Sequence, residues 1–190
     1  MPFDLLDTAL PDVKIVRPRR FEDARGWLAE TWKQSDFDAA GLPRFVQDNG
    51  SLSTRGVIRG LHHQLPPHAQ GKLIACVTGR IYDVALDVRP ASSTFGRWVA
   101  VELSEHAPDM LFIPAGFAHG FQALEDRTRV TYKFTTAWCA AAERTIHHDD
   151  PALAIPWPLA PRVLSPKDRD APLLSESELG PLDRGPPPSP

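Results

Sequence analysis

Residues 72–88 read KLIACVTGRIYDVALDV, a pattern that predicts two β-strands joined by a tight turn. In the first strand Lys72, Ile74 and Cys76 share one face, because successive side chains of a strand alternate. Thr78-Gly79 supplies the turn. The second strand places alternate apolar residues on one face, namely Tyr82, Val84, Leu86 and Val88. The segment therefore predicts two consecutive β-strands rather than a helix.

More strands of this kind are predicted downstream at hairpin spacing, at Phe95–Leu103, Met110–Ile113 and Arg129–Phe134. Six or more short strands separated by turn residues are typical of a β-sandwich or a closed jelly roll. The predicted fold class is therefore all-β, with a few short helices. Helix is predicted only near Gln34–Ala40, with Ser35 as its N-cap, and in a stretch near Pro166–Glu178.

The length of 190 residues indicates one domain with a sizeable core. We place this domain at residues 1–179, since no composition break or internal repeat divides them. Residues 180–190 read GPLDRGPPPSP, and so many prolines favour an extended or mobile tail.

Charge and cysteine content exclude several classes of protein. The chain has 21 basic and 24 acidic residues and a formal net charge of −3, without a basic stripe, so no nucleic-acid partner is expected. No apolar run has the length of a membrane span, and Met1-Pro2-Phe3-Asp4 does not begin a secretion signal. The two cysteines, Cys76 and Cys139, lack CxxC spacing, which predicts a reduced, cytoplasmic setting.

The candidate chemistry begins at Arg59-Gly60-Leu61-His62-His63-Gln64, followed by Lys72. Two cations beside a half-buried imidazole have an electrostatic cost unless an anionic ligand occupies the site. Histidine titrates nearest neutral pH, and a fixed ammonium in a low dielectric stabilises a developing oxyanion. The segment therefore predicts proton abstraction, with His62 as the base and Lys72 beside the oxyanion.

Other residues are ambiguous when they are considered singly. Tyr132 shares a strand face with Val130 and Phe134, so taken alone it is a core aromatic. His119 follows a Pro-Ala-Gly-Phe turn, and His147 with His148 suggests a solvated loop.

A metal site is not supported, because adjacent strand residues 62 and 63 point to opposite faces and no carboxylate completes a ligand triad. No phosphate-binding glycine loop or dinucleotide fingerprint is present.

Seven short motifs, taken in order, are far more specific than any one of them. They are Phe21-x-Asp23-x-Arg25-Gly26-x-x-x-Glu30, Gln47-Asp48-Asn49-x-Ser51, Arg59-Gly60-Leu61-His62-x-Gln64, Pro67-x-x-Gln70-Gly71-Lys72, Ile113-Pro114-x-Gly116-Phe117-Ala118-His119-Gly120-Phe121, Asp149-Asp150-Pro151 and Ser165-x-Lys167-Asp168. With them the chain resembles the dTDP-4-dehydrorhamnose 3,5-epimerase family from about Phe21 to about Leu174. The resemblance implies a cupin-like jelly roll, a double-stranded β-helix, that acts on a dTDP-linked 4-keto-6-deoxy sugar.

The resemblance also implies roles for particular residues. It implies catalytic roles for His62 as the base, Asp168 as the carboxylate that orients it, Lys72 beside the C4 oxygen, and Tyr132 as the acid on the opposite face. It implies substrate contacts for Arg25, Glu30, Gln47, Asn49, Arg59, His119, Trp138, Glu143 and Lys167. Trp138 stands where the family usually has a tyrosine that stacks on thymine, and His63 where an aromatic residue is more usual.

The implied reaction inverts C3 and C5 through an enolate, with no cofactor and no metal, in a protein expected to be a homodimer. Three alternatives remain open at this point. The first is a mono-epimerase that inverts C3 or C5 only. The second is a metal-dependent cupin that uses His62, His68 and His119. The third is a non-catalytic sugar-nucleotide binder on the same scaffold, since a fold does not determine a function.

Overall fold

The computed structural model describes residues 1–180. These residues form strands β1 (Phe3–Asp7), β2 (Lys14–Pro18), β3 (Arg20–Asp23), β4 (Gly26–Ala29), β5 (Gln47–Ser53), β6 (Ile58–Gln64), β7 (Lys72–Thr78), β8 (Arg80–Asp87), β9 (Trp98–Ser104), β10 (Met110–Ile113), β11 (Phe117–Ala123), β12 (Thr128–Phe134) and β13 (Glu143–Thr145). Helices α1 (Gln34–Ala39) and α2 (Pro166–Arg169) and a 3₁₀ turn at Leu174–Glu176 complete the elements.

Two antiparallel sheets build the molecule, and a short β3–β4 hairpin lies apart from them. The six-stranded sheet has the order β1-β2-β10-β7-β12-β5, and the five-stranded sheet has the order β13-β6-β11-β8-β9. Neighbouring strands come from distant parts of the chain, as in the pairing of β10 with both β2 and β7. This arrangement confirms the prediction of an all-β jelly roll with few short helices.

The alternation predicted for residues 72–88 is confirmed by where the side chains pack. On β7, Ile74 and Cys76 belong to a buried apolar cluster to which both sheets contribute, whereas Leu73 packs in a separate cluster with Phe37 of α1. On β8, Val84 and Leu86 lie in a third cluster, together with partly buried residues of the C-terminal segment such as Leu174. Burial of apolar surface on both faces of these strands is the main stabilising contribution.

The prediction for the C-terminal helix is wrong in length. Only Pro166–Arg169 is α-helical, with Ser165 as its N-cap and a proline at N1, which is a favoured start. Pro172 ends the helical stretch, because the residue before a proline is biased towards extended backbone. The chain then packs against the loop after β13, where the amide of His147 donates to the carbonyl of Pro172.

Two smaller predictions also need correction. Helix α1 is capped by Lys33 without a side-chain hydrogen bond, so Ser35 is not its N-cap. Strand β9 begins at Trp98 rather than at residue 95, because the preceding residues form a turn in which Ser92 and Thr94 donate to the buried carboxylate of Asp87.

His148 is buried rather than solvated, since its loop is covered by the C-terminal segment and by Trp157, whose indole donates to the carbonyl of His148. Of the predicted tail, only residue 180 is described, and it lies against Pro66. The rest of the tail falls outside the described residues. Within residues 1–180 no helix has the length and apolar character needed to cross a membrane.

Candidate active site

A cavity of about 820 Å³ opens between the two sheets, within the usual size range for a small-molecule site. Its wall comes from β5, β6, β7, β11, β12, β13 and the segment that begins α2. The residues that line it are Gln47, Asn49, Gly50, Ser51, Arg59, His62, Gln70, Lys72, His119, Phe121, Tyr132, Phe134, Trp138, Glu143, Ser165, Pro166, Lys167 and Asp168. The cavity thus collects polar side chains that are up to about 120 positions apart in the sequence.

His62 on β6 is paired with the buried carboxylate of Asp168 on α2, at 2.5 Å between Nε2 and Oδ1. Burial lowers the pKa of His62, although the carboxylate of Asp168 opposes this effect. Burial alone would raise the pKa of Asp168, but its hydrogen bond to His62 and the charge of His62 outweigh burial and lower it. A neutral imidazole that donates from Nε2 to a carboxylate keeps the lone pair of Nδ1 free to accept a proton.

A β-bulge at Gly60 brings Arg59 and His62 to the same cavity. Residues three apart on a regular strand point to opposite faces. Here the pairing with β11 runs from His119↔His62 to Phe121↔Arg59, so β6 carries one extra residue. Gly60 has a φ of +116°, and a Cβ there would lie 2.5 Å from the carbonyl oxygen of His119. Glycine is therefore required at this position.

Lys72 at the start of β7 is only 4 % exposed. Its ammonium donates to the carbonyl oxygen of His62 at 3.4 Å. Burial lowers the pKa of Lys72 to about 8, and the charge of the Glu143 carboxylate opposes this effect. The lysine thus places a poorly solvated cation against the wall of the cavity, as the sequence predicts.

Tyr132 on β12 lines the cavity from the six-stranded sheet, whereas His62 lies on the five-stranded sheet. Its hydroxyl forms a hydrogen bond of 2.8 Å with the hydroxyl of Ser51 on the neighbouring strand β5. Burial raises the pKa of Tyr132 to about 12, so the phenol keeps its proton at neutral pH. The imidazole and the phenol therefore reach one cavity from facing sheets.

His119 is buried on β11, where a hydrogen bond of 2.7 Å joins its Nε2 to Oδ1 of Asp83. It lines the cavity as predicted, but it lies within a strand rather than in a turn. Its carboxylate partner was not predicted from the sequence. The available signal was a carboxylate in the middle of the apolar stretch of β8, flanked by Tyr82 and Val84, which is costly to bury without a partner.

The remaining residues at the cavity wall form the rim. The backbone amide of Trp138 donates to Gln47 at 2.8 Å, and the amide of the Gln47 side chain donates to Asn49. On the opposite side, the ammonium of Lys167 donates to Glu143 at 2.9 Å. The indole of Trp138 is 56 % exposed, which leaves a face available for stacking.

Arg25 and Glu30 are the two predicted substrate contacts that the structure does not bring to this cavity. Both belong to the region of the β3–β4 hairpin, where Arg25 is exposed and pairs with Asp23. The hairpin pairs only within itself, so nothing in the described chain directs these two side chains to His62.

Ser51 lines the cavity, although no role was predicted for it and one motif contains it. Strand alternation could have identified it, because Gln47, Asn49 and Ser51 share one face of β5. Gln70, Phe121 and Phe134 were missed in the same way, and they add apolar and amide surface to the wall.

Comparison with known proteins identifies the family. A jelly roll that encloses a histidine–carboxylate pair, a buried lysine and a facing tyrosine defines a class of proton-transferring sites. Residues 7–176 match the family model described as dTDP-4-dehydrorhamnose 3,5-epimerase. The chain therefore belongs to the dTDP-4-dehydrorhamnose 3,5-epimerase family.

Individual relatives agree with this family. The chain is 46 % identical to a dTDP-4-dehydrorhamnose 3,5-epimerase of Shigella flexneri, over 87 % of this chain and 92 % of the relative. It is 47 % identical to an enzyme of the same name from Pseudomonas aeruginosa, over 90 % of each. A 3,5-epimerase structure from Legionella pneumophila, in complex with dTDP-4-keto-L-rhamnose, superposes with a TM-score of 0.88 at 42 % identity and covers 92 % of this chain and 94 % of that one.

Proposed function

We propose that this member of an isomerase family inverts both C3 and C5 of a dTDP-4-keto-6-deoxyhexose and so converts dTDP-4-dehydro-6-deoxyglucose to dTDP-4-dehydrorhamnose. One observation carries the proposal: His62, backed by Asp168, and Tyr132 line one cavity from facing sheets. A sugar ring held between them exposes one face to a base and the other face to an acid.

The first step is proton abstraction by His62. The hydrogens on C3 and C5 are acidic because both carbons flank the C4 carbonyl. The C–H electron pair becomes a C=C bond, and the carbonyl π electrons move to O4, which becomes an enolate oxygen. Asp168 stabilises the imidazolium that results, and the ammonium of Lys72 stabilises the enolate by about 3–4 kcal/mol, the typical effect of one well-placed donor.

The second step is proton delivery by Tyr132 to the opposite face of the same carbon. The enolate electrons return to form the C–H bond, the C4 carbonyl is restored, and the centre is inverted. The tyrosinate and the imidazolium then exchange protons with solvent, so no oxidant or reductant enters the balance. A positioned acid or base typically contributes about 10²–10⁴-fold to the rate.

Substrate contacts are proposed for the residues of the rim. Arg59 and Lys167 supply positive charge for a diphosphate, since a guanidinium fork matches phosphate oxygens. The exposed indole of Trp138 offers a π-face for the thymine base. Gln47, Asn49, His119 and Glu143 supply hydrogen-bonding groups around the sugar.

The test is incubation of the purified protein with dTDP-4-keto-6-deoxyglucose in D₂O, followed by NMR. We expect deuterium and inverted configuration at both C3 and C5. Label and inversion at only one of these carbons would indicate the mono-epimerase. Binding without exchange would indicate a sugar-nucleotide binder.

The metal-dependent alternative has a separate test. His62 and His119, two of its three ligands, are each hydrogen-bonded to a carboxylate of their own. Elemental analysis and chelator treatment decide the question. Stoichiometric iron, zinc or manganese, with activity lost to a chelator, would contradict the mechanism above.

We further propose one jelly-roll domain over residues 1–179, a cytoplasmic setting and a homodimer. The β3–β4 hairpin supports the dimer, because Phe21, Trp27 and Leu28 are 55 %, 47 % and 73 % exposed. An apolar group of this kind on one hairpin marks an interaction surface. A second copy that covers the hairpin would also give Arg25 and Glu30 a route to substrate, since they lie outside their own cavity. Light scattering should report a dimer, and Leu28→Glu should shift it towards the monomer.

A further inference from the structure

We infer that Ser51 is a positioning residue for proton delivery: its hydroxyl donates to the oxygen of Tyr132, aims the phenolic proton at the ligand, and stabilises the phenolate that remains. The inference rests on the proposed function, because it takes Tyr132 as the acid. It adds a residue to which no role has been assigned, and it concerns only one of the two proton transfers.

The geometry places these two hydroxyls together from adjacent strands. Ser51 is paired with Val130, and Tyr132 with Asn49, in the antiparallel β5–β12 ladder. The serine therefore lies diagonally across from the tyrosine on the cavity face, within reach of a long aromatic side chain. Its Oγ is 2.8 Å from the tyrosine Oη, a normal length for an O–H···O bond. Both side chains line the cavity.

The direction of this hydrogen bond decides whether the tyrosine can act as an acid. Each hydroxyl carries one proton and can also accept. If Tyr132 donates to Ser51, its proton points away from the substrate. If Ser51 donates, the phenolic proton is free to point into the cavity. The serine therefore serves catalysis only as the donor.

The same hydrogen bond matters more after the proton has left. Burial raises the pKa of Tyr132 to about 12, and the hydrogen bond to Ser51 is the strongest of the effects that oppose burial, followed by the charge of Arg59. The carboxylate of Asp83 acts in the opposite direction. A hydroxyl that already donates to the phenol oxygen strengthens its hydrogen bond as the oxygen becomes anionic.

This role predicts a separation between hydrogen exchange and inversion. His62 can remove a substrate proton and return a deuteron to the same face without any contribution from Tyr132. Loss of Ser51 should therefore leave exchange intact while inversion slows. Hydrogen bonds to charged groups are stronger than those between neutral groups, so the loss of this one from the phenolate should slow inversion roughly 10- to 100-fold.

The experiment compares four variants in D₂O, with NMR measurement of both deuterium incorporation and inversion at C3 and C5. Ser51→Ala removes the donor, and Ser51→Thr retains it. Tyr132→Phe removes the acid itself. Thr131→Val is the matched control, because Thr131 is an exposed hydroxyl residue on the same strand as Tyr132 but on its other face.

We expect Ser51→Ala to keep exchange within about two-fold of wild type while the ratio of inversion to exchange falls roughly 10- to 100-fold. Ser51→Thr should restore the ratio, and Thr131→Val should not change it. A wild-type ratio in Ser51→Ala, with inversion lost in Tyr132→Phe, would overturn the inference alone. Equal loss of exchange and inversion in Ser51→Ala would also overturn it, because that result indicates a general structural role. Normal inversion in Tyr132→Phe would instead refute the proposed acid.

Discussion

The closed part of the barrel interior and the part that opens to the cavity are built by the same strands, yet their side chains behave in opposite ways. Strand β7 contributes Ile74 and Cys76 to the apolar cluster and Lys72 to the cavity. Strand β12 does the same with Val130 and Tyr132, although Tyr132 also packs against the cluster. The boundary between core and site therefore runs across the strands rather than between them.

The difference shows what each part contributes. In the closed part, burial removes apolar surface from water and stabilises the fold. In the open part, the same low polarity lowers the pKa of Lys72 and raises that of Tyr132, in each case against the charged form. The cavity thus disfavours the charged forms of Lys72 and Tyr132. The resulting pKa shifts are typical of groups that take part in proton transfer.

Among the tests of this contrast, His62→Ala is expected to have the largest effect on activity. Removal of the base should lower both deuterium exchange and inversion by about 10²–10⁴-fold, since His119, the other cavity histidine of that sheet, is hydrogen-bonded to Asp83. The measurement is the rate of exchange in D₂O under saturating substrate.

His68→Ala is the control for that experiment, because His68 is exposed and does not line the cavity. It should retain wild-type exchange. Loss of activity in this variant would favour the metal-dependent alternative, in which His68 is a ligand. Near-normal exchange in His62→Ala would refute the base.

Lys72→Met should change activity and stability in opposite directions. Loss of the cation beside the enolate should lower the rate by about 10²–10³-fold. At pH 7 the free energy of unfolding should rise by on the order of 3 kcal/mol, because the pKa of the buried lysine is lowered from 10.5 to about 8.

The sign of that stability gain can be tested with pH. The cost of the buried ammonium is fully present below about pH 8 and disappears as the pH rises towards 10.5. Denaturant unfolding at pH 7 and pH 10.5 should therefore show a smaller advantage of Lys72→Met at the higher pH. A variant less stable than wild type at pH 7 would contradict this account of the cavity.

The pH dependence of kcat/KM should show a limb on each side of neutrality. Lys72 must be protonated, so kcat/KM should fall about ten-fold per pH unit above about pH 8. His62 must be neutral, and its pKa is lowered from 6.5, so the acid limb should begin below that value. Residual activity of Lys72→Met should lack the alkaline limb. A wild-type profile that stays flat to pH 10.5 would be incompatible with a role for this ammonium.

The smallest effect is expected in the closed part. Ile74→Val removes one buried methyl group two residues from Lys72 and should lower the free energy of unfolding by about 0.5–1.5 kcal/mol. The rate per folded molecule should stay within about two-fold of wild type, since the side chain lies outside the cavity wall. Urea unfolding and kcat measure the two quantities. A large loss of kcat without a loss of stability would show that core and site are not separable along this strand.

Much of the site could be predicted from the sequence, because its residues lie in motifs whose local pattern is visible. Lys72 is identified by its apolar neighbours, and strands β7 and β8 by alternation, although these two consecutive strands belong to different sheets. The pairing of His119 with Asp83 could not be predicted with the same tools. It depends on the register of β8 against β11, which no local pattern specifies.

The bulge at Gly60 is a second feature that local sequence patterns do not predict. Strict alternation would place Arg59 and His62 on opposite faces, and only the extra residue in β6 brings both to the cavity. The position of the β3–β4 hairpin is a further case, because the motif around Arg25 and Glu30 predicts cavity residues that the described chain alone does not bring to the cavity.

The amino-acid sequence by itself determined the all-β class, the faces of strands β7 and β8, the chemical types of the cavity residues and the family they indicate. These follow from side-chain alternation and from residue chemistry, which act over a few neighbouring positions. Only the tertiary structure decided that the imidazole and the phenol line one cavity from facing sheets, that Asp83 is the carboxylate partner of His119, and which hydroxyl contacts Tyr132. Those relations join residues that are distant in the chain, and sheet pairing and packing of the whole molecule are what bring them together.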